Sequence, residues 1–445
     1  MQMTVWTALN VAPGPGRRVL EPASQADLLA TPSTFESRRS TVRQALTVAV
    51  LIALGLLSAV QLQGFTLTLF AVVCLLVAPA WLLTRPTLGE WLPVALALVG
   101  FAAFCVSAQM NDLSMVDQRV QQWAAFALYY IGVLILAGRD LLRCCAIYCG
   151  VAVGAMIYGV LSGGAPATAY QSTAEMWKYG LGQWVVAVVL FVAVIVKTPL
   201  PLQAVVLMAI AVFSLGQDYR SLATNCFLAG SIVLVGWAAA GRIPRWLQVT
   251  SVLAAGAMVY MFLPRLAASG IFGGAIQRKT ESQLSEGVPL ILAGRTESPL
   301  SISAIMERPW FGWASANNIS AEVFDHARRL AIAIGFDPTT PLESGWYYAN
   351  GDVSLHSILF AAWAEGGVFG ALLPLGLLVA ALTMVWNAPR YGRWAALVTV
   401  VSIQAVWDLL FSPWSYGCLT AFAVLGVMFA ARHLPGRSTL VERSP

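Results

Sequence analysis

The chain has 445 residues, of which 58% are hydrophobic and only 11% charged, against about a quarter charged in an ordinary soluble protein. That balance excludes a soluble globular enzyme, and a net charge of +5 marks no nucleic-acid partner. Apolar stretches of the roughly 20 residues needed to cross a hydrocarbon core recur along most of the sequence, so the chain reads as a polytopic membrane protein.

Residues 1–43 mix Pro, Ala, Ser and Thr with Arg17, Arg18, Arg38, Arg39 and Arg43. They hold no apolar run that could form a signal-peptide core, so they read as a disordered cytoplasmic tail, with the first span as the targeting signal. Apolar windows then predict about twelve spans within 44–432: 45–62, 64–84, 91–109, 120–138, 142–162, 179–197, 199–216, 222–240, 246–263, 355–386, 394–411 and 414–432. The expected fold class is an all-α polytopic membrane protein, closed by a cytoplasmic tail over 433–445. The window 355–386 exceeds one straight crossing, so it must tilt or stand proud of the bilayer.

Lys and Arg favour the cytoplasmic side. With the N-terminus inside, sixteen of the 26 Lys and Arg and six of the 21 Asp and Glu fall inside, giving +10; ten and fifteen fall outside, giving −5. An even number of spans with both termini cytoplasmic fits this asymmetry.

The connection 264–354, between spans 9 and 10, is the one long loop, and it lies on the outer side. It carries helix signals. Ser298 before Pro299 suits an N-cap and first helical position. Ser320 suits the cap of a second helix with Val323, Ala327, Leu330 and Ile334 as its apolar stripe, lying on the membrane surface or against the spans. Trp310, Phe311, Trp313, Trp346, Tyr347 and Tyr348 add side chains that favour a membrane interface.

The seven cysteines fall in spans or at their ends, and His326, His356 and His433 are scattered. Neither pattern predicts a disulfide framework or a bound metal. Among the outer cations, Arg220 lies in a short turn between spans 7 and 8, Arg295 lies in the long loop, and Lys178 lies at the mouth of span 6. His356 opens span 10.

Taken in order, Arg220, Gly294-Arg295, the apolar helix Ile302 to Met306, Pro309-Trp310-Phe311-Gly312, His356-Ser357 and Glu365-Gly366-Gly367 resemble the O-antigen ligases and Wzy-type polysaccharide polymerases. The resemblance covers about residues 214–370. Ser357 replaces a common Asn, and Tyr219 a common Ser. It implies a membrane glycosyltransferase of the bacterial inner membrane with its active site on the outer face. Such an enzyme moves an oligo- or polysaccharide from an undecaprenyl-diphosphate-linked donor to a hydroxyl of a glycan or lipid-linked acceptor.

The residue chemistry agrees with that expectation. No D-x-D stands on the outer side to hold a metal, whereas Arg220 and Arg295, with Lys178 as a lesser candidate, can neutralise a diphosphate directly. No cofactor is expected. Neutral His356 can take the acceptor proton as general base; a helix N-terminus disfavours the imidazolium, whereas a carboxylate such as Asp352 or Glu343 nearby would favour it. Glu365 falls on a different helical face from His356, which assigns it to packing or hydrogen bonding. His326 reads as exposed and inert. A lipid-linked glycan transporter or flippase is the main alternative; a scaffold in a cell-envelope complex is a third.

Overall fold

The computed structural model describes residues 34–432 except 65, 162–171, 240–241, 340, 349 and most of 271–294. The tails 1–33 and 433–445, and Gly294 of the Gly-Arg pair, lie outside the described residues. By its internal contacts the chain divides into residues 1–47 and 48–445. Helix α1, Thr34–Leu56, begins inside the segment expected to be an irregular tail.

Among the described residues fourteen more helices follow, eleven of them in the order of the expected spans and three in the long loop. They are α2 (Leu69–Val77, continued by a 3-10 turn over Ala78–Leu83), α3 (Leu88–Met110), α4 (Gln118–Ala137), α5 (Leu141–Leu161) and α6 (Thr173–Ile195). Next come α7 (Leu200–Gly216), α8 (Arg220–Ala238) and α9 (Arg245–Ala268). After the loop helices α10 (Ser298–Glu307), α11 (Ala321–Ala333) and α12 (Leu342–Trp346) come α13 (Ile358–Trp386), α14 (Ala395–Phe411) and α15 (Cys418–Arg432).

Among the described residues, eight of these helices are long and apolar enough to cross a membrane; the remaining expected spans are shorter apolar helices. The second window is the clearest departure. Gly64, at φ +49°, turns the chain into a hairpin of β1 (Gln61–Gln63) and β2 (Leu67–Thr68), so only Leu69–Val77 is left as α helix, and Pro79 falls in the 3-10 turn beyond it. A left-handed turn favours Gly, and Pro removes a helix donor.

Helix α13 packs on α3 and α14, α4 on α15, and α8 on both α7 and α14. At one end of the bundle a two-pronged pair ties α3 to the α4–α5 turn: Arg139 Nε and Nη2 donate to Glu90 at 2.8 and 3.0 Å. At the other end the loop builds its own apolar core from Leu300, Ala304, Trp313, Val323, Phe336 and Trp346, joined to α13 through Leu355 and Ala364. The stripe of α11 is Val323, Ala327 and Ala331. Leu330 is half-buried and the expected Ile334 is exposed, because α11 ends at Ala333 and Gly335 turns at φ +110°.

The loop locks to α13 at a break in that helix. Gly367 has φ +69°, which frees backbone groups that an unbroken helix would pair. Trp313 N donates to Ala364 O (2.9 Å), Ala314 N to Glu365 O (2.7 Å), and Val368 N to Pro309 O (2.9 Å). Trp363 Nε1 adds a bond to Pro309 O at 3.1 Å. Thus Pro309–Gly312 and Glu365–Gly367 are the two halves of one structural joint. The Glu365 carboxylate completes it, accepting from Ala316 N at 2.9 Å with Arg119 Nε 3.7 Å away.

Candidate active site

The turn bearing Arg295 leads directly into α10. Ser298, expected as its cap, is its first residue; Glu297 precedes it and leaves the helix uncapped by its side chain. That carboxylate points elsewhere. Its Oε1 lies 2.8 Å from His356 Nδ1.

Trp346, fully buried, holds this turn by donating from Nε1 to Thr296 O at 2.8 Å. Its own carbonyl accepts from Ser354 N at 2.8 Å, while Tyr347 bridges Val353 and Tyr348 N donates to Asp352 O at 2.8 Å. The resulting hairpin folds 347–354 back on α12 and delivers His356 to Glu297. Ser354 Oγ lies 2.6 Å from His356 Nδ1, and the Tyr348 ring is centred 5.7 Å from the imidazole. Burial raises the Tyr348 hydroxyl above its ordinary range, against a smaller lowering by its bond to Ser354.

His356 stands before α13 rather than in its first turns. Ser357 is the N-cap: its Oγ accepts from Phe360 N at 3.1 Å and donates to Leu409 O at 3.0 Å. Ser and Asn are both strong N-caps, so Ser357 preserves the local geometry that Asn would supply. Asp352 and Glu343, which the sequence offers as candidate neighbours of His356 without fixing their distance, are engaged otherwise. Asp352 accepts from Asn317 and Asn350, and Glu343 pairs with Arg328. Glu297 takes their place because α10 carries it across to the hairpin.

Arg295 is half-buried, and burial draws its guanidinium below the ordinary range while Glu297 and then Tyr179 oppose that shift. Arginine remains a cation regardless. No direct ion pair to Arg295 is found among the described residues. Lys178 and Tyr179 lie on a π turn, Trp177–Leu181, inside α6, a local widening that recurs at functional sites. Lys178 Nζ sits 5.0 Å from the Tyr179 ring centre.

Tyr179 lies within electrostatic reach of Arg295 and also of Tyr219, the residue before Arg220. The structure therefore brings the π turn, the start of α8 and the Arg295 turn to one end of the bundle. Arg220 opens α8, and its Nε lies 3.3 Å from Asp218, so part of its charge is already matched. Tyr219 is half-buried, and desolvation of its hydroxyl, with the Asp408 carboxylate, raises it above the ordinary range and keeps it a neutral donor. Below, Asn225 Nδ2 donates to Gln404 Oε1 (2.9 Å) and Gln404 Nε2 to Asp408 Oδ1 (3.0 Å), tying α8 to α14.

Sequence reasoning missed Glu297, Ser354, Tyr179 and Asp408. Glu297 had a usable signal, an acidic residue two positions after Arg295 at a helix start. The others depend on contacts between distant segments. His326 is half-buried rather than exposed. Among the described residues no cluster of three His, Cys, Asp or Glu could hold a metal ion. Comparison with known protein families and with curated proteins finds no match.

Proposed function

We propose that this protein is a metal-independent membrane glycosyltransferase that moves a glycan from a polyprenyl-diphosphate donor, undecaprenyl in class, to an acceptor hydroxyl. The observation carrying this reading is the Glu297–His356 pair at 2.8 Å, beside a half-buried Arg295 with no direct ion pair among the described residues. An ionised carboxylate only accepts hydrogen bonds, so Glu297 favours the tautomer with hydrogen on Nδ1, in which Ser354 Oγ, 2.6 Å from the same nitrogen, serves as an acceptor and Nε2 is left to take a proton.

In the proposed step the acceptor oxygen attacks the anomeric carbon, the bond from that carbon to the diphosphate oxygen breaks, and the acceptor proton passes to His356 Nε2. The leaving diphosphate keeps the electron pair. Its charge falls to Arg295 first, with Arg220 and Lys178 as further cations. Arg220 contributes less, since Asp218 already matches part of its charge. This assignment covers both an O-antigen ligase and a polysaccharide polymerase.

Twelve spans, cytoplasmic termini and an outward-facing loop 264–354 in a bacterial inner membrane complete the proposal, resting on the +10 and −5 asymmetry of the sequence. A cysteine at exposed Arg329 should react with an impermeant thiol reagent in outer-permeabilised cells; labelling only after inner-membrane lysis contradicts this orientation. Purified protein in nanodiscs, given a polyprenyl-diphosphate-linked glycan and a glycan acceptor, should form the transferred product in EDTA. Movement of intact donor across vesicles without transfer supports a flippase instead, and neither activity supports a scaffold.

A further inference from the structure

The two longer loop helices have opposite surface polarity. In α11 the buried side is Val323, Ala327 and Ala331, and the exposed side carries Glu322, Asp325, Arg328 and Arg329 with one large apolar residue, Ile332 (40%), in its last turn, largely the pattern of a helix between a core and water. Helix α10 is reversed: it buries Ser301, Ser303 and Ala304 together with Leu300, yet exposes Ile302 (43%) and Met306 (63%). Ile302 and Met306 are one turn apart on the same face. Trp310 (62%) and Phe311 (44%) extend that apolar surface beyond the helix end.

A second, independent observation fixes the depth of this surface. Helix α13 breaks at Gly367, and its unbroken part, residues 368–386, is about 29 Å long at 1.5 Å per residue, against a hydrocarbon core of about 30 Å. Counting back from Trp386 the roughly 20 residues that such a core requires reaches Gly367, where the Pro309–Gly312 strip is bonded. Helix α3 gives the same level. Arg308 Nη1 donates to Asn111 Oδ1 (2.7 Å) just past its end, and Ser107 Oγ donates to Glu365 O (2.8 Å) within its last turn.

We infer that the Ile302, Met306, Trp310 and Phe311 face is seated in the loop-side leaflet of the bilayer, making α10 an interfacial helix and leaving α11 in water. Buried small and polar residues with exposed large apolar ones are the arrangement that lipid on the outer side favours, and aromatic rings favour the interface at that depth. The inference rests on the chain crossing a membrane and not on glycan transfer. Its consequence for the site is positional: the start of α10, with Glu297 and Arg295, is held at the level of lipid phosphates.

The test uses the full chain in vesicles of phosphatidylethanolamine and phosphatidylglycerol. Cys105→Ser removes the one native cysteine that is not buried, and an environment-sensitive fluorophore is attached to Ile302→Cys, Met306→Cys or Arg329→Cys. Lipids spin-labelled high on the acyl chain should quench the first two several-fold more than the third, and aqueous iodide should show the reverse order. Iodide quenching at 302 and 306 equal to that at 329 overturns the inference. So does protection from both quenchers that is lost on diluting the protein in lipid, since a second copy would then cover the face. Neither readout depends on transfer, so an inactive protein leaves the result interpretable.

Discussion

Glu297 Oε1 lies 2.8 Å from His356 Nδ1, and this contact joins the start of a loop helix to the residue just before α13. Both partners are fixed by local neighbours together with residues from distant segments. Trp346 donates to Thr296 O on the glutamate side, while Ser354 and the Ser357–Leu409 bond flank the histidine. The pair is thus oriented by the loop core and by α14 as well as by local sequence.

If Glu297 sets the His356 tautomer, Glu297→Gln should lower kcat by about 10- to 100-fold, less than the 10²–10⁴-fold typical of general-base help as a whole. KM for the donor should change little, because the proposed donor contacts lie with the cations. Steady-state kinetics in nanodiscs separates the two. A raised KM with kcat intact would place Glu297 in donor binding instead.

His356→Ala should abolish turnover and leave donor binding intact. His356→Gln, which keeps a polar side chain but supplies no base, should fail in the same way. A residual His356→Ala rate near wild type would assign proton removal to another group.

Arg295→Lys keeps the charge and loses the planar fork of donors. We expect a folded protein whose transition-state stabilisation is poorer by about 3 kcal/mol, the scale for one oxyanion donor. It should appear as a kcat loss in the transfer assay. Near-normal turnover would reduce Arg295 to a point charge.

Gly367→Ala tests the joint between loop and bundle. With φ +69° and ψ −173°, the position lies in a region essentially reserved for Gly, at a cost of about 1–3 kcal/mol to another residue, and a Cβ there would run into the Trp310 carbonyl. Thermal unfolding in detergent should shift down. Gly89→Ala, in the first turn of α3 with open space around it, should leave the unfolding temperature unchanged or raised.

The sequence by itself determined the apolar helices and their order, because a segment crossing hydrocarbon must satisfy its backbone internally and so announces itself by composition. It likewise marked α11 through Val323 and Ala327 at helical spacing, and placed Arg220, Arg295, Lys178 and His356 near helix ends. What it left undecided depended on contacts between distant segments. Asp352 and Glu343 were nearer to His356 along the chain, but folding gave them to Asn317 and Arg328 and brought Glu297 instead. The Pro309–Gly312 and Glu365–Gly367 motifs were visible as patterns, yet only the break at Gly367 showed them bonding to each other. Periodicity reports which face of an element is apolar; which partner meets that face, and which carboxylate meets a histidine, is settled by tertiary packing alone.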